Sequence, residues 1–178
     1  MSLQAGSSPD RGRDKKQTFE EVYDTCYERV FNFVYSKILQ REDAEDITAE
    51  TFIKAMRAYD YYDPQKSSVI TWLCTIARNS LIDHVRRSKS DKIIPFDETL
   101  DRGATDAELA RLDEDVEKRV YLIFKKLKPA EREILSMRYM MEMDYNEIGK
   151  ALNIESKAAA KRVERLLKKC REIDEGNL

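Results

Sequence analysis

Chain breakers are scarce in this sequence: 178 residues contain 5 glycines and 4 prolines. So few breakers favour long, uninterrupted helices in small joined domains over one large core. His84 is the sole histidine, and Cys26, Cys74 and Cys170 are dispersed with no Cys-x-x-Cys pair. A zinc site therefore has no ligand set, and the thiols read as reduced, semi-buried small hydrophobes. No glycine-rich phosphate loop and no nucleophile–base pairing stand out, so neither an enzyme nor a cofactor protein is expected. No apolar run approaches the roughly 18 residues of a membrane span. The N-terminal stretch is polar rather than signal-like, and the expectation is a protein of the cytoplasm. A net charge of −2 gives no bulk attraction for nucleic acid.

What the chain does have is charge, and the charge is sorted. Charged residues make up 37% of the sequence, against about 25% in an ordinary domain. High charge with few breakers predicts long amphipathic helices in small units, hence an all-α fold. Ser156 to Arg171 holds seven Lys/Arg and one acid, whereas Asp97 to Glu117 holds nine acids and two Arg.

Helical periodicity places the elements. Residues 1–17 are aperiodic and are expected to be a disordered or foreign lead. Thr18-Phe-Glu-Glu21 is a capping box, and Val22, Cys26, Val30 and Phe33 follow at helical spacing. A second helix runs from Arg41 to about Ala58, and Asp63-Pro64 breaks the pattern before a third helix that ends near Arg87. The first domain is thus 18–87. An acidic linker spans 88–114, and a second helical domain spans 115–178. In that domain Pro129 marks a helix start, and Asp144-Tyr-Asn-Glu147 is a further capping box. Asn153 is expected to close the helix that follows, Gly149 to allow close approach, and Ser156 to cap the final helix. Two helices with so short a turn have helix-turn-helix spacing.

The residues alone leave several roles open. On the last helix Lys157, Lys161, Arg162, Arg165 and Lys168 share one face opposite Ala159, Val163 and Leu166. That face fits a DNA groove, or is a solvated surface of an ordinary amphipathic helix. The acids of 42–50 either favour a helix N-terminus or form a docking face for a basic partner. Tyr61 and Tyr62 beside Lys66, Ser67 and Ser68 suit stacking and phosphate contacts with single-stranded nucleic acid, or are packing residues. Trp72 reads as core, while Arg78, Asn79, Arg86 and Arg87 lie on the helix that this loop feeds. A helical adaptor binding only proteins and a dimerising helix-turn-helix repressor remain rivals.

Three segments in order, "DAEDITAETFIKAMRAY", "TWLCTIARNSLIDHVRR" and "KKLKPAEREILSMRYMMEMDYNEIGKALNI", resemble bacterial extracytoplasmic-function sigma factors. The resemblance implies a region-2 domain and a region-4 domain, an initiation factor that binds core RNA polymerase and promoter DNA, and no catalytic site. It implies an anti-sigma factor as a partner and a monomer when free. By position, Asp43, Asp46, Glu50 and Phe52 fall where the family grips polymerase. Residues 61–69, with Arg78, Asn79, Arg86 and Arg87, fall where it captures the −10 element. Ser156, Lys157, Lys161, Arg162, Arg165 and Lys168 fall on the −35 reader. The chain departs from the family pattern at Ala49, usually polar, and at Ala158, Ala159 and Ala160, whose side chains offer no hydrogen bond to a base. The linker acids, Asp97, Glu98, Asp101, Asp106 and Glu108 among them, are expected to mask the basic DNA-binding faces of the free chain through mobile attraction.

Overall fold

The computed structural model describes residues 17–87, 106–112 and 115–176, and all the regular elements there are helical. The N-terminal unit consists of α1 (Phe19–Ile38), α2 (Arg41–Ala58) and α3 (Val69–Arg87), with a 3-10 turn at Tyr59–Tyr61 after α2. The capping box forms as expected: the Thr18 hydroxyl accepts the Glu21 amide, and Glu21 accepts the Thr18 amide. Leu39 ends α1 in the left-handed region, φ 52°, which turns the chain straight into α2. Val22, Phe33, Ile47, Leu73 and Leu81 are fully buried between the three helices.

The C-terminal unit comprises α5 (Asp115–Lys126), α6 (Pro129–Tyr139), α7 (Tyr145–Leu152) and α8 (Ser156–Asp174). Pro129 opens α6, where its missing N–H costs nothing. Asp144 and Glu147 cap α7 reciprocally, and Asn153 closes it in the left-handed region, φ 53°. A Cβ at Gly149 would stand 2.7 Å from the Ile154 carbonyl oxygen and 3.3 Å from the Ser156 amide. Only glycine lets α7 pass this close to the turn into α8. Ser156, however, is the first residue of α8 rather than its cap; Glu155 holds the cap position without a side-chain bond.

The sequence leaves the relation of the two units open; in the structure they meet. α1 packs on α6 and α3 on α7, and the buried apolar residues of both units form one continuous core. At the α1–α6 crossing Ser36 and Ser136 are both buried, with hydroxyl oxygens 2.5 Å apart. Small residues at a crossing let helix axes approach closely. Arg29 on α1 donates to the Met141 carbonyl in the turn after α6.

The end of the expected linker is ordered. α4 (Asp106–Ala110) lies on α1, where buried Glu108 accepts a hydrogen bond from Tyr35 (3.2 Å) and Arg111 pairs with Glu42 (3.4 Å). Glu108 is therefore held on α1 and not against a basic DNA face. Asp97, Glu98 and Asp101 lie outside the described residues, as do 1–16 and all of 88–105.

Replacing Gly149 with Ala tests the turn geometry. Alanine gains about 1 kcal/mol in helix propensity, but its methyl group meets fixed backbone. A net loss of roughly 1–3 kcal/mol is expected in urea denaturation, as for other overpacked sites. Unchanged or raised stability would show that the turn gives way.

Candidate nucleic-acid and polymerase interfaces

α8 carries the strongest surface charge. Lys157, Lys161, Arg162, Arg165 and Lys168 are all exposed along it, while Ala159, Val163 and Leu166 are buried on the other side. Arg162 and Arg165 also line a cleft between α6 and α8. Lys169 is drawn off this face by Glu131 of α6, 2.8 Å away. Burial opposes ionisation of Glu131, yet the Lys169 hydrogen bond and the Lys128 amide outweigh it and hold its carboxyl below the usual range. At the far end of α8, Asp174 binds Arg119 of α5. These two ties fix the helix orientation while leaving its cationic face in water.

The loop between α2 and α3 does not present its tyrosines equally. Tyr61 is 89% exposed and stands free for stacking. Tyr62, expected beside it, is buried instead. Its ring packs on Trp72 (centroids 4.9 Å) and Tyr59 (5.8 Å), and its hydroxyl donates to the Ser67 carbonyl (2.9 Å). Burial raises the Tyr62 pKa. Lys66 projects into solvent near Asp63 (3.8 Å). Trp72 is half-buried against this pair of rings, as expected of a core residue.

Ser68 and Arg78 are in place on the same side, but their hydrogen bonds go to the C-terminal unit. Ser68 (2.5 Å) and Thr71 (2.9 Å) both donate to Glu147 Oε1 on α7. Burial opposes ionisation of Glu147, but bonds from Ser68, the Asp144 amide and Thr71 together keep its carboxyl below the usual range. Arg78 donates to Glu133 of α6 and to the Ala151 carbonyl of α7, each at 2.8 Å. Buried Lys37 completes the site, with Nζ 3.4 Å from Glu133 and 3.2 Å from the Pro129 carbonyl. Asn79 and Arg86 remain exposed on α3. Thr71, Lys37 and Glu133 were not singled out by sequence, and Glu147 only as a helix cap, because their partners across the units lie dozens of residues away.

On α2 the four expected docking residues separate. Asp46 is exposed. Asp43 faces His84 at 3.6 Å. Glu50 is neutralised within the unit, 2.8 Å from Lys54 and 2.5 Å from Arg87, so Arg87 is tied to α2 as well. Phe52 is only 4% exposed and packs in an aromatic group with Phe19, Tyr23 and Tyr27. Beside Asp46 and Ala49 the solvent instead meets Ile53 and Met56, with Tyr23 on α1. Positions 46, 49, 53 and 56 share one helical face, a spacing that could have marked them.

Among the described residues no group of three or more His, Cys, Asp or Glu could hold a metal, and no helix is long and apolar enough to cross a membrane. All three cysteines are free; burial pushes the Cys74 thiol up to about 12 and raises that of Cys170. Such thiols stay protonated and unreactive.

A cationic helix-turn-helix joined to a helical unit with an exposed aromatic loop defines a two-domain nucleic-acid-binding protein. The sequence matches sigma-70 region 2 over residues 22–90 and sigma-70 region 4 over residues 117–170. It is 30% identical over 139 residues to the ECF RNA polymerase sigma factor SigM of Bacillus subtilis, covering 77% of this chain and 83% of that one. It is 27% identical to the ECF RNA polymerase sigma factor BldN of Streptomyces coelicolor, covering 75% of this chain and about half, 52%, of the relative. The fold is similar to that of the sigma factor RpoE of Bartonella quintana, solved with the anti-sigma factor NepR. That likeness has a TM-score of 0.64 at 18% identity, over 86% of this chain and 94% of that one. The chain belongs to the extracytoplasmic-function sigma factors of the sigma-70 family. It is a transcription initiation factor that binds core RNA polymerase and directs it to promoters, and not an enzyme.

The Glu50 cluster yields a pH-dependent expectation. Hydrogen bonds from Arg87 and then Lys54 lower the Glu50 pKa in the folded chain. Its contribution to stability is therefore complete above the ordinary carboxylate range and is lost as pH falls through the lowered value. Glu50→Gln should be slightly less stable than the parent at neutral pH, with the gap closing in acid. Urea midpoints across a pH series measure this. A gap that does not change with pH would mean the Glu50 charge contributes nothing.

Proposed function

We propose that the chain performs promoter-directed initiation through three surfaces. α8 reads the −35 duplex with Lys157, Lys161, Arg162 and Arg165, while Lys168 holds phosphate. The α2–α3 loop, with Tyr61 and Lys66, and the exposed Asn79 and Arg86 of α3 capture the opened −10 strand. The outer face of α2, with Asp46, Ala49, Ile53 and Met56, meets a basic and apolar surface of core polymerase. The observation that carries the reading is the exposed cationic face of α8, set at a fixed angle by a glycine-tight turn and two ion pairs.

A cationic face meets phosphates regardless of sequence, and forked donors such as Arg162 add base discrimination. Because Ala158, Ala159 and Ala160 offer no polar side chain, specificity at the start of α8 falls on Arg162 and Arg165. An anti-sigma factor as inhibitor and a cytoplasmic location complete the proposal. The support is the family, and the RpoE relative that was solved with such an inhibitor.

Transcription from a genomic promoter library with purified core polymerase tests this. Arg162→Ala should cost ~1–3 kcal/mol of promoter binding and relax preference at one −35 position. Lys168→Ala should weaken all sequences alike. Asp46→Lys should lose polymerase while keeping duplex affinity. Unchanged promoter choice in Arg162→Ala, or intact polymerase binding in Asp46→Lys, would overturn the corresponding surface.

A further inference from the structure

The cationic stretch of α8 carries one acid. Between Ser156 and Arg171 seven Lys/Arg surround Glu164, the single carboxylate there. Glu164 is not on the packed side of the helix. It is exposed, and it lines the same surface hollow as Lys161, Arg162, Arg165 and Lys168. Lys168 stands four residues further on, where a Glu–Lys pair is favourable in a helix. Its ammonium nevertheless leans to Glu172, 3.9 Å away. Among the described residues Glu164 makes no ion pair and no side-chain hydrogen bond.

A helix that met only phosphates would gain nothing from this carboxylate, which repels them and offsets one cation. In a major groove it needs a hydrogen-bond donor once water is displaced, and base edges supply donors selectively. Cytosine presents an amino group with no acceptor beside it on the same base. Adenine sets its N7 acceptor next to its amino group, while guanine and thymine turn carbonyl oxygens toward the groove. A carboxylate therefore ranks cytosine first at the position it faces, and guanine and thymine last.

We propose that Glu164 is a specificity-determining residue of α8, accepting a hydrogen bond from a cytosine amino group at one position of the −35 element. The proposal rests on the reading of α8 as the −35 helix and adds an acceptor to its donors. Arg162 and Arg165 offer forked donors that suit guanine O6 and N7. The carboxylate between them supplies the complementary half, so one helix face can distinguish the two bases of a G·C pair. Its unpaired state in the free chain leaves it available for this contact. Against any other base it is desolvated without a donor, so it selects by exclusion as well as by attraction.

The test is transcription by the full-length chain with core polymerase, from a promoter drawn from the genomic library and then randomised across its −35 region. The parent should favour cytosine at one position of one strand, by roughly tenfold over guanine or thymine. Glu164→Gln, whose amide suits adenine, should move that preference to adenine. Glu164→Ala should flatten that position alone, while raising affinity for duplexes of every sequence. Base preferences identical in the parent and both variants would overturn the proposal. So would variants that differ from the parent only in urea midpoint or by a uniform gain in affinity, because Glu164 would then be a surface charge and no reader. A parent with a −35 preference but none for cytosine overturns the role of Glu164 and leaves α8 as the −35 helix. A parent indifferent to the whole −35 region overturns both.

Discussion

A single carboxylate fixes how the two halves of this protein meet. Glu133 projects from α6 between Lys37 of α1 and Arg78 of α3, so one side chain refers the C-terminal unit to two helices of the other. A buried ion pair contributes little net stability, because hydration lost by both ions offsets their attraction. Its directional demand is strict, however. Any rotation of one unit on the other leaves a charge without its partner in a dry place, which costs several kcal/mol. The serine contact and the bonds to Glu147 are consistent with that one registration.

Within each unit the sequence was a good guide, because the controlling interactions are local. Capping boxes at Thr18 and Asp144 declare helix starts through residues three apart. Pro129 and Asn153 act through their own backbone preferences, and Gly149 announces a close approach by lacking a side chain. The last helix showed its two faces by periodicity alone.

What escaped was orientation and distant pairing. Tyr61 and Tyr62 are adjacent and chemically alike, and only the 3-10 turn decides that one is exposed while the other is stacked under Trp72. Phe52 and Glu50 were placed on a docking surface by position, but packing and Arg87 turn them inward. Lys37 could not be recognised as a core residue, since its burial depends on Glu133 almost a hundred positions later. Glu108 belongs to a segment whose composition suggests solvation, yet one tyrosine and a short helix hold it against α1.

The double use of Glu147 has a kinetic implication. One oxygen secures the start of α7 and the other reaches across to Ser68 and Thr71. Were the units to part, only the second set would break, so the helix-turn-helix would not need to unravel or re-form. Such a separation would be a rigid displacement, of the class that runs in microseconds to milliseconds rather than at the pace of refolding.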